Sequence, residues 1–260
     1  MEKWNLNNML KIIDITRVNK ITKSFGGDVA INNCTFEVPE GKIVGLVGPN
    51  GGGKTTIMNI VCGITKPDSG QIFLNNQNIT NLSIEQRSNL GIARSFQDSK
   101  LFNNLTVREN LLLAINNDDT LFFRNLIGLN KTDAVKEQKV KDMLELIDFP
   151  NITNELVRDL SWGQRKLIDF LKTIIKPYQI ALLDEPAAGI IPIFRQEKIG
   201  MLISKEKEKG RTILLIDHDL SFTFEYSDII LFMSEGKIIA SGTPDEIKND
   251  KNIIDTYIGK

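Results

Sequence analysis

The feature that most constrains the fold of this chain is an apolar segment that runs directly into a glycine-rich loop. KIVGLVG, Lys42 to Gly48, is a short apolar run with β-branched residues, and GPNGGGKT continues from that glycine to Thr55. Glycines let the backbone curl so that successive N–H groups face one anion, and a helix beginning there adds its positive dipole end. The order of strand, loop and helix fits the GxxxxGKS/T pattern, so the sequence predicts a phosphate-binding loop.

In such a loop Lys54 would neutralise the β- and γ-phosphates of a nucleotide, and the Thr55 hydroxyl would bind Mg²⁺. The alternative is a glycine-rich turn that fits the pattern by chance, and the flanking strand and helix argue against it. We therefore expect the whole loop to line a nucleotide site: Gly48, Pro49, Asn50, Gly51, Gly52, Gly53, Lys54, Thr55 and Thr56.

Three later segments share the continuous apolar character of the first one: Ile180 to Leu183, Thr212 to Ile216 and Ile229 to Met233. Continuous rather than alternating apolarity is typical of strands covered on both faces, and it predicts a parallel sheet with helices between the strands. The segments Val18 to Val38 and Gly70 to Ile79 alternate more and are separated by turn residues, which indicates an antiparallel β-layer.

Outside these strand segments the sequence favours helices. Capping patterns mark three helix starts, namely SIEQ at Ser83, TVRE at Thr106 and TPDE at Thr243. A further helix buries one face, because its apolar residues recur at helical spacing: Val140, Met143, Leu144 and Ile147. We expect Asn116 to Lys131 to be a mobile loop.

A phosphate-binding loop needs a carboxylate at the end of a neighbouring strand, and the segment IALLDE supplies two in succession. Asp184 would hold Mg²⁺, directly or through water, and Glu185 would polarise the water that attacks the γ-phosphate. Two adjacent acids at a strand end are otherwise ordinary solvated loop residues. Together with the loop, the pair predicts a nucleoside triphosphatase, although it does not distinguish kinases, GTPases and motors.

Composition excludes several other classes of protein. The 32 Lys and Arg residues nearly balance the 33 Asp and Glu residues, so we do not expect nucleic acid as a partner. Cys34 and Cys62 are far apart and the chain has a single histidine, so a zinc site is not expected either. No apolar run approaches the roughly 18 residues of a membrane span and no secretory signal is recognisable, so we expect a cytoplasmic protein.

A second potential anion site lies before the acid pair. In DLSWGQRK, Ser161 followed by Gln164 is a capping pattern, which would place Ser161 and the Gly163 amide at a helix N-terminus. Such an end attracts anions, yet the chain already has a phosphate site at Lys54. The two sites are reconciled if the second one serves the nucleotide of another copy.

The order of these motifs resembles that of the ATP-binding-cassette ATPases. LSWGQ is similar to their LSGGQ signature, ARSFQ at Ala93 to Gln97 is similar to their Q-loop, and Asp217-His218-Asp219 after an apolar strand is similar to their switch-histidine segment. The similarity runs from Lys20 to the C-terminus. On its own the single histidine would more often be a structural residue, and the ordered motifs make it a candidate functional residue.

The resemblance implies further roles. Phe25 corresponds to the aromatic residue that stacks on adenine, Gln97 to a sensor of the γ-phosphate and metal, and His218 to the residue that contacts the γ-phosphate and orders Glu185. Two copies, identical or related, would pair head to tail, each ATP lying between one phosphate loop and the signature of the other copy. The signature residues that would contact it are Ser161, Gly163 and Gln164.

The fold implied is an α/β P-loop NTPase core of the RecA type, with a parallel sheet, an antiparallel β-subdomain and an inserted α-helical subdomain. We expect one nucleotide-binding domain over the whole chain: a core with β-subdomain at about 17–97 and 166–240, a helical subdomain with the signature at about 98–165, and a C-terminal helix at about 241–260. A permease groove is expected at Phe96 to Leu105 and Val107 to Ile115. Leu101 and Phe102 would be permease anchors there or core residues.

Within the family, several segments look most like the ATP-binding subunits of branched-chain amino-acid uptake systems, among them ARSFQ and EPAAG. This implies an ATPase on the cytoplasmic face of the membrane, attached to integral-membrane permease subunits, with an extracytoplasmic binding protein as a further partner. The alternatives are a lipopolysaccharide-export ATPase, a soluble cassette ATPase of DNA repair or ribosomes, and a non-hydrolysing regulatory subunit.

Two departures from the family pattern bear on turnover. Trp162 occupies a position that usually holds glycine or tyrosine, so its bulk needs room. After Gly189 the expected Leu-Asn/Asp-Pro reads Ile190-Ile191-Pro192, which lacks the polar residue that usually communicates between the two nucleotide sites.

Overall fold

The computed structural model describes residues 14–95, 101–115, 134–191, 194–250 and 253. The strands of this part are β1 (Asp14–Phe25), β2 (Asp28–Pro39), β3 (Ile43–Val47), β4 (Ser69–Leu74), β5 (Gln77–Asn78), β6 (Ile92–Arg94), β7 (Ile180–Asp184), β8 (Ile213–Ile216), β9 (Ile229–Ser234) and β10 (Lys237–Gly242). They form two sheets, one in the order β10-β9-β3-β8-β7-β6 and one in the order β2-β1-β4-β5.

The first sheet is parallel from β9 to β6, and β10 closes its edge in the antiparallel direction. The four apolar segments predicted as strands are β3, β7, β8 and β9, so the prediction of a parallel core is confirmed. The second sheet is antiparallel throughout and contains both segments for which an antiparallel layer was predicted.

Continuous apolarity in the parallel strands follows from the burial of both sheet faces. In β7, Ala181 and Leu183 pack into one apolar cluster, and Ile180 and Leu182 pack into another on the opposite face. Alternate residues of a strand point to opposite faces, so a strand covered on both sides needs apolar residues at every position.

The helices are α1 (Lys54–Cys62), α2 (Ile84–Asn89), α3 (Val107–Ile115), α4 (Ala134–Leu146), α5 (Trp162–Ile174), α6 (Met201–Glu208), α7 (Leu220–Tyr226) and α8 (Pro244–Asn249). A π-helical segment, Arg195–Gly200, leads into α6, and short 3₁₀ segments lie at Pro150–Ile152 and Val157–Asp159. One apolar cluster joins α3, α4 and α5 to the parallel sheet, and the other joins α1 and the antiparallel sheet to its opposite face.

The predicted helix starts at Ser83, Thr106 and Thr243 all carry reciprocal capping bonds. The apolar face predicted for α4 is buried at Val140, Leu144 and Ile147, as expected from its spacing. The segment predicted as a mobile loop lies outside the described residues, and the expected subdomain boundaries stay predictions. No helix in the described part of the chain is long and apolar enough to cross a membrane.

Candidate functional site

The phosphate loop connects β3 to α1, and two of its glycines combine a positive φ with a close approach to neighbouring atoms. Gly48 has φ +146°, and a Cβ atom there would lie 1.9 Å from the carbonyl oxygen of Met233. Gly53, with φ +104°, is the N-cap of α1 and packs against Ile31. A side chain at either position would displace the loop from the sheet.

Lys54 begins α1 and folds back over the loop. Its ammonium group donates to the carbonyl oxygens of Gly48 at 2.7 Å and Pro49 at 2.9 Å. Burial lowers the pKa of Lys54, and the nearby carboxylates of Glu185 and Asp184 oppose that change. The protein thus holds a desolvated cation in place, with carbonyl partners that an anionic ligand could replace.

The two predicted acids lie at the end of the buried strand β7, but their partners differ. Asp184 is the last residue of the strand, and Glu185 follows it. Asp184 accepts a hydrogen bond from Arg94 of the neighbouring strand β6, at 3.0 Å. Glu185 has an unusual φ of +50°, and its Oε1 lies 2.7 Å from Nε2 of His218. Of the two neighbouring carboxylates at this strand end, one is thus paired with an arginine and the other with the single histidine of the chain.

Asp184 retains acceptor capacity that its neighbours do not use. Burial raises its pKa, and the guanidinium of Arg94 opposes that rise. Its Oδ1 is buried and has no hydrogen-bond partner among the described residues. An orphaned buried carboxylate oxygen suits a further cationic ligand, because an unpaired acceptor of this kind costs free energy.

A cavity of about 370 Å³ unites the phosphate loop with the catalytic candidates. Its lining includes Lys54, Thr55, Glu185 and His218. Ala30 of β2 also lines it, and Phe25 lies near the start of that strand, paired with Asp28 across the hairpin turn, with its ring exposed. The arrangement places an anion site, a carboxylate and an imidazole around one space.

The signature residues lie in a different cavity, of about 380 Å³, which Ser161, Gly163 and Gln164 line together with Gly189 to Ile191. Ser161 is the N-cap of α5: its hydroxyl accepts from the Gln164 N–H, and the Gln164 side chain accepts from the Ser161 N–H. The predicted cap is therefore confirmed. The helix end lies in a cavity that the phosphate loop does not line.

Comparisons with known proteins decide the family. The model of the ABC transporter family matches residues 31–188 of this chain. The chain belongs to the ABC transporter family. This cassette hydrolyses ATP, as that family does, and the predicted family, fold class and enzyme class are confirmed.

Relatives and solved structures agree with this assignment over nearly the whole cassette. It is similar to LivG, a high-affinity branched-chain amino acid transport ATP-binding protein of Salmonella typhimurium, with 35% identity over 94% of this chain and 97% of LivG. The corresponding protein BraF of Pseudomonas aeruginosa is 32% identical, over 95% of this chain and 98% of BraF. The ADP form of MJ1267, an ATP-binding cassette of an ABC transporter, superposes with a TM-score of 0.80 at 28% identity, covering 95% of this chain and 99% of MJ1267. A nucleotide-free cassette from an ABC transporter gives 0.79 at 30% identity, over 93% of this chain and 97% of that one.

Among the predicted site residues of the cassette, Gln97 lies outside the described part of the chain. Leu101 and Phe102 were each expected to be either a permease anchor or a core residue, and the structure gives a different outcome for each. Leu101 is partly buried and packs against the apolar core, whereas the ring of Phe102 is 56% exposed. Phe102 lies 5.8 Å from the ammonium group of Lys172, which lines a cavity of about 250 Å³ beside the parallel sheet. Exposed Phe102 thus remains available for a partner, and Leu101 does not.

The contacts of two residues of the cassette were not predicted. Arg94 was noted only as part of the ARSFQ segment, although its guanidinium bridges Asp184 and the Cys62 sulfur. Trp162 was noted as a departure, and the structure shows the space for its bulk: the indole lies over Gly189. A buried arginine two residues after an apolar strand start is a weak signal, and the tryptophan contact has no local sequence signal.

Proposed function

We propose that this cassette powers a membrane transporter by hydrolysing ATP and that its cargo is a branched-chain or related amino acid. The observation that carries the catalytic part is the 2.7 Å contact of Glu185 with His218 inside the phosphate-loop cavity. The cargo assignment rests on LivG and BraF, which are branched-chain amino acid transport ATP-binding proteins and which this chain matches over nearly its whole length. A place at the cytoplasmic face of a membrane follows from the same relationship.

In the proposed reaction Lys54 exchanges its carbonyl partners for the β- and γ-phosphates of ATP. Glu185 accepts a proton from the water whose oxygen attacks the γ-phosphorus, the bond to the β–γ bridging oxygen breaks, and ADP and phosphate leave. His218 holds the Glu185 carboxylate in place and faces the γ-phosphate. The positive φ of Glu185 favours this assignment, because strained backbone at a strand end is common where a side chain must be aimed.

The residues also fit Mg²⁺. Thr55 lines the cavity, and the buried Oδ1 of Asp184 lacks a hydrogen-bond partner among the described residues. In that part of the chain no cluster of three or more metal-ligating side chains forms a ready cage. One carboxylate and one hydroxyl suit Mg²⁺, which is usually held by one or two carboxylates plus substrate phosphates, and which would neutralise charge developing on the transferred phosphoryl group.

The separation of the two half-sites supports a head-to-tail dimer. Lys54, Glu185 and His218 line one cavity, and Ser161 and Gly163 line another. ATP at one phosphate loop would then complete its site with the signature of a partner cassette, identical or related. Hydrolysis removes the γ-phosphate that joins the two, so binding closes the dimer and hydrolysis opens it.

A surface beside the parallel sheet would pass this motion to a permease. Ile64 and Ile84, both exposed, line the 250 Å³ cavity together with Arg94 and Lys172, and exposed Phe102 lies next to Lys172. We call Ile64, Ile84 and Phe102 the docking surface. Arg94 lines this cavity and donates a hydrogen bond to Asp184, so a single side chain connects the docking surface with the proposed nucleotide site.

The experiment that tests the proposal compares Glu185→Gln with the wild type. The isosteric change keeps the backbone and the ATP site but removes the base, so turnover should fall by at least about 100-fold. ATP should now hold the variant as a dimer on size-exclusion chromatography. His218→Ala should also lower turnover while nucleotide binding persists.

The matched control is Glu145→Gln, an exposed surface glutamate, which should hydrolyse ATP like the wild type. Phosphate release by Glu185→Gln at the wild-type rate would refute the catalytic assignment. Equal turnover of His218→Ala and the wild type would refute the role of the histidine alone.

A further inference from the structure

The tryptophan in the signature contacts the segment that follows the catalytic glutamate of the same chain. The indole Nε1 of Trp162 donates to the carbonyl oxygen of Ala188 at 3.4 Å. Its ring covers Gly189 so closely that a Cβ atom there would lie 2.5 Å from Nε1. Gly189 also has φ +74°, so both its conformation and the position of the indole exclude a side chain.

Trp162 stands at the half-site that would contact the partner's nucleotide. It is the first residue of α5, between Ser161 and Gly163, and its side chain is 51% exposed. The ammonium group of Lys166 lies 5.6 Å from the indole, which limits the freedom of the ring. A phosphate bound at this helix end would lie next to Trp162, the first residue of α5.

The other end of the contact leads to Glu185 through a tight turn. The Ala188 N–H donates to the Glu185 carbonyl at 3.2 Å, and the Ile190 N–H donates to that of Ala187 at 3.2 Å. Ala187 is fully buried, and the Glu185 N–H is bonded to Ile216 of β8. A hydrogen-bonded turn with a buried centre moves as a unit, so a shift at Gly189 reaches Glu185.

We propose that Trp162 is a positioning residue that couples the nucleotide at the signature half-site to Glu185 of the same chain. In a head-to-tail dimer this links ATP bound at one site to hydrolysis at the other. Ile190 and Ile191 supply no polar side chain for such a link, and the indole provides a packed and hydrogen-bonded one. The inference rests on the dimer of the proposed function.

The first test measures the contact in the nucleotide-free chain by hydrogen exchange. In Trp162→Gly the turn loses its cover and its hydrogen bond, so the amides of Ala188 and Ile190 should exchange about tenfold faster. Trp162→Phe keeps a ring over Gly189 and should stay close to the wild type. Trp162 is half exposed at a helix start, where glycine is tolerated, and an unchanged melting curve verifies that both variants fold.

The second test measures coupling as the Hill coefficient of ATP hydrolysis. The wild type should be cooperative, and Trp162→Gly should fall to a coefficient of about 1. Binding of a fluorescent ATP analogue to the monomer should be unaffected, because Trp162 does not line the phosphate-loop cavity. If Trp162 had only a structural role, its replacement would not lower the Hill coefficient while leaving nucleotide binding by the monomer unchanged. Val135→Ala, which shortens an exposed apolar residue elsewhere, is the control.

Three results would overturn the inference while leaving the ATPase assignment intact. They are wild-type exchange rates in Trp162→Gly, an undiminished Hill coefficient in that variant, and non-cooperative hydrolysis by the wild type. A wild type that neither hydrolyses ATP nor dimerises with it would instead refute the proposed function, and the inference with it.

Discussion

At the scale of single residues, Asp217 is a buried acid next to His218, and only one of its two carboxylate oxygens has a hydrogen-bond partner among the described residues. Its Oδ1 accepts from the Asp219 N–H at 2.9 Å, and its Oδ2 has no partner among the described residues. Burial raises the pKa of Asp217, with the Asp219 N–H and the charge of Arg195 opposing that rise. The charged form is therefore disfavoured in the folded state.

This predicts that Asp217→Asn stabilises the protein, and increasingly so as the pH rises. Because folding raises the pKa of Asp217, the stability that this residue contributes to the wild type is fully present below the unfolded-state pKa of 3.8. That contribution is lost as the pH rises through the folded-state pKa. The variant lacks that loss, so its advantage should be small near about pH 4 and on the order of 1 kcal/mol at about pH 8. Urea denaturation of both proteins across this range measures it.

Asp68→Asn is the control of opposite sign. The hydrogen bond from Lys23 lowers the pKa of Asp68, so its contribution is present above the unfolded pKa and is lost as pH falls. Its replacement should therefore reduce stability at neutral pH. An Asp217→Asn advantage that shrinks with rising pH would contradict the prediction.

At the residue scale, the sequence locates a candidate site residue where that residue follows a recognisable strand or loop. Lys54, Glu185 and His218 were located because each has a fixed place after an apolar run, and the structure brings them to one cavity. The partners Arg94 of Asp184 and Gly189 of Trp162 could not be found in this way. Both contacts join segments distant in the chain, and the first depends on which strands are neighbours in the sheet.

At the scale of elements, one arginine holds together the end of the phosphate-loop helix. The buried guanidinium of Arg87 in α2 donates to the carbonyls of Ile60 at 2.6 Å and Val61 at 2.7 Å, both in the last turns of α1. It also donates to the carbonyls of Thr80 and Leu82. Carbonyls at a helix C-terminus have no partners within the helix, so Arg87 satisfies them from outside.

Replacement of Arg87 by methionine should cost roughly 3 kcal/mol of unfolding free energy, because four carbonyls, two of them buried and two partly buried, lose a charged donor. The unfolding free energy of Arg87→Lys should lie between those of that variant and the wild type, since an ammonium group cannot reach all four carbonyls. Urea denaturation gives the values. Arg108→Met is the control, because Arg108 pairs with Glu137 at the surface and should contribute under about 1 kcal/mol. Equal costs at both positions would contradict the prediction.

The elements recognised from sequence were those with a strong period or a cap. The edge strand β10 and the three-residue strand β6 were not predicted, although each completes the parallel sheet. β10 alternates between exposed and half-buried residues, and β6 is too short to show a period. The π-helical segment Arg195–Gly200, which leads into α6, was likewise not predicted.

At the scale of the whole molecule, the proposed nucleotide contacts and the proposed permease contact lie on different elements. The proposed nucleotide half-sites lie at the phosphate loop and the start of α5, and the proposed docking surface of Ile64, Ile84 and Phe102 lies at the cavity that Arg94 and Lys172 also line. Loss of one surface should therefore leave the other working. This separation allows the transport proposal to be tested apart from catalysis.

Ile84→Glu should abolish capture of a permease while the isolated cassette still hydrolyses ATP. Ile84 is 52% exposed and is the first residue of α2, where a glutamate suits the helix dipole, so the variant should fold. A buried charge on an apolar docking surface opposes binding, and recovery of a polytopic membrane protein should fall at least about tenfold. The measurement is mass spectrometry of proteins captured with the tagged chain from gently solubilised native membranes.

Val135→Glu is the matched control, since Val135 is 76% exposed and also lies in the first turn of a helix, α4, away from the cavity. It should retain the permease at the wild-type level. Equal recovery with Ile84→Glu and Val135→Glu would refute the docking surface. Capture of the wild type with ribosomal or DNA-bound proteins in place of a permease would refute transport itself, because the same ATP-driven closure would then act on a soluble partner.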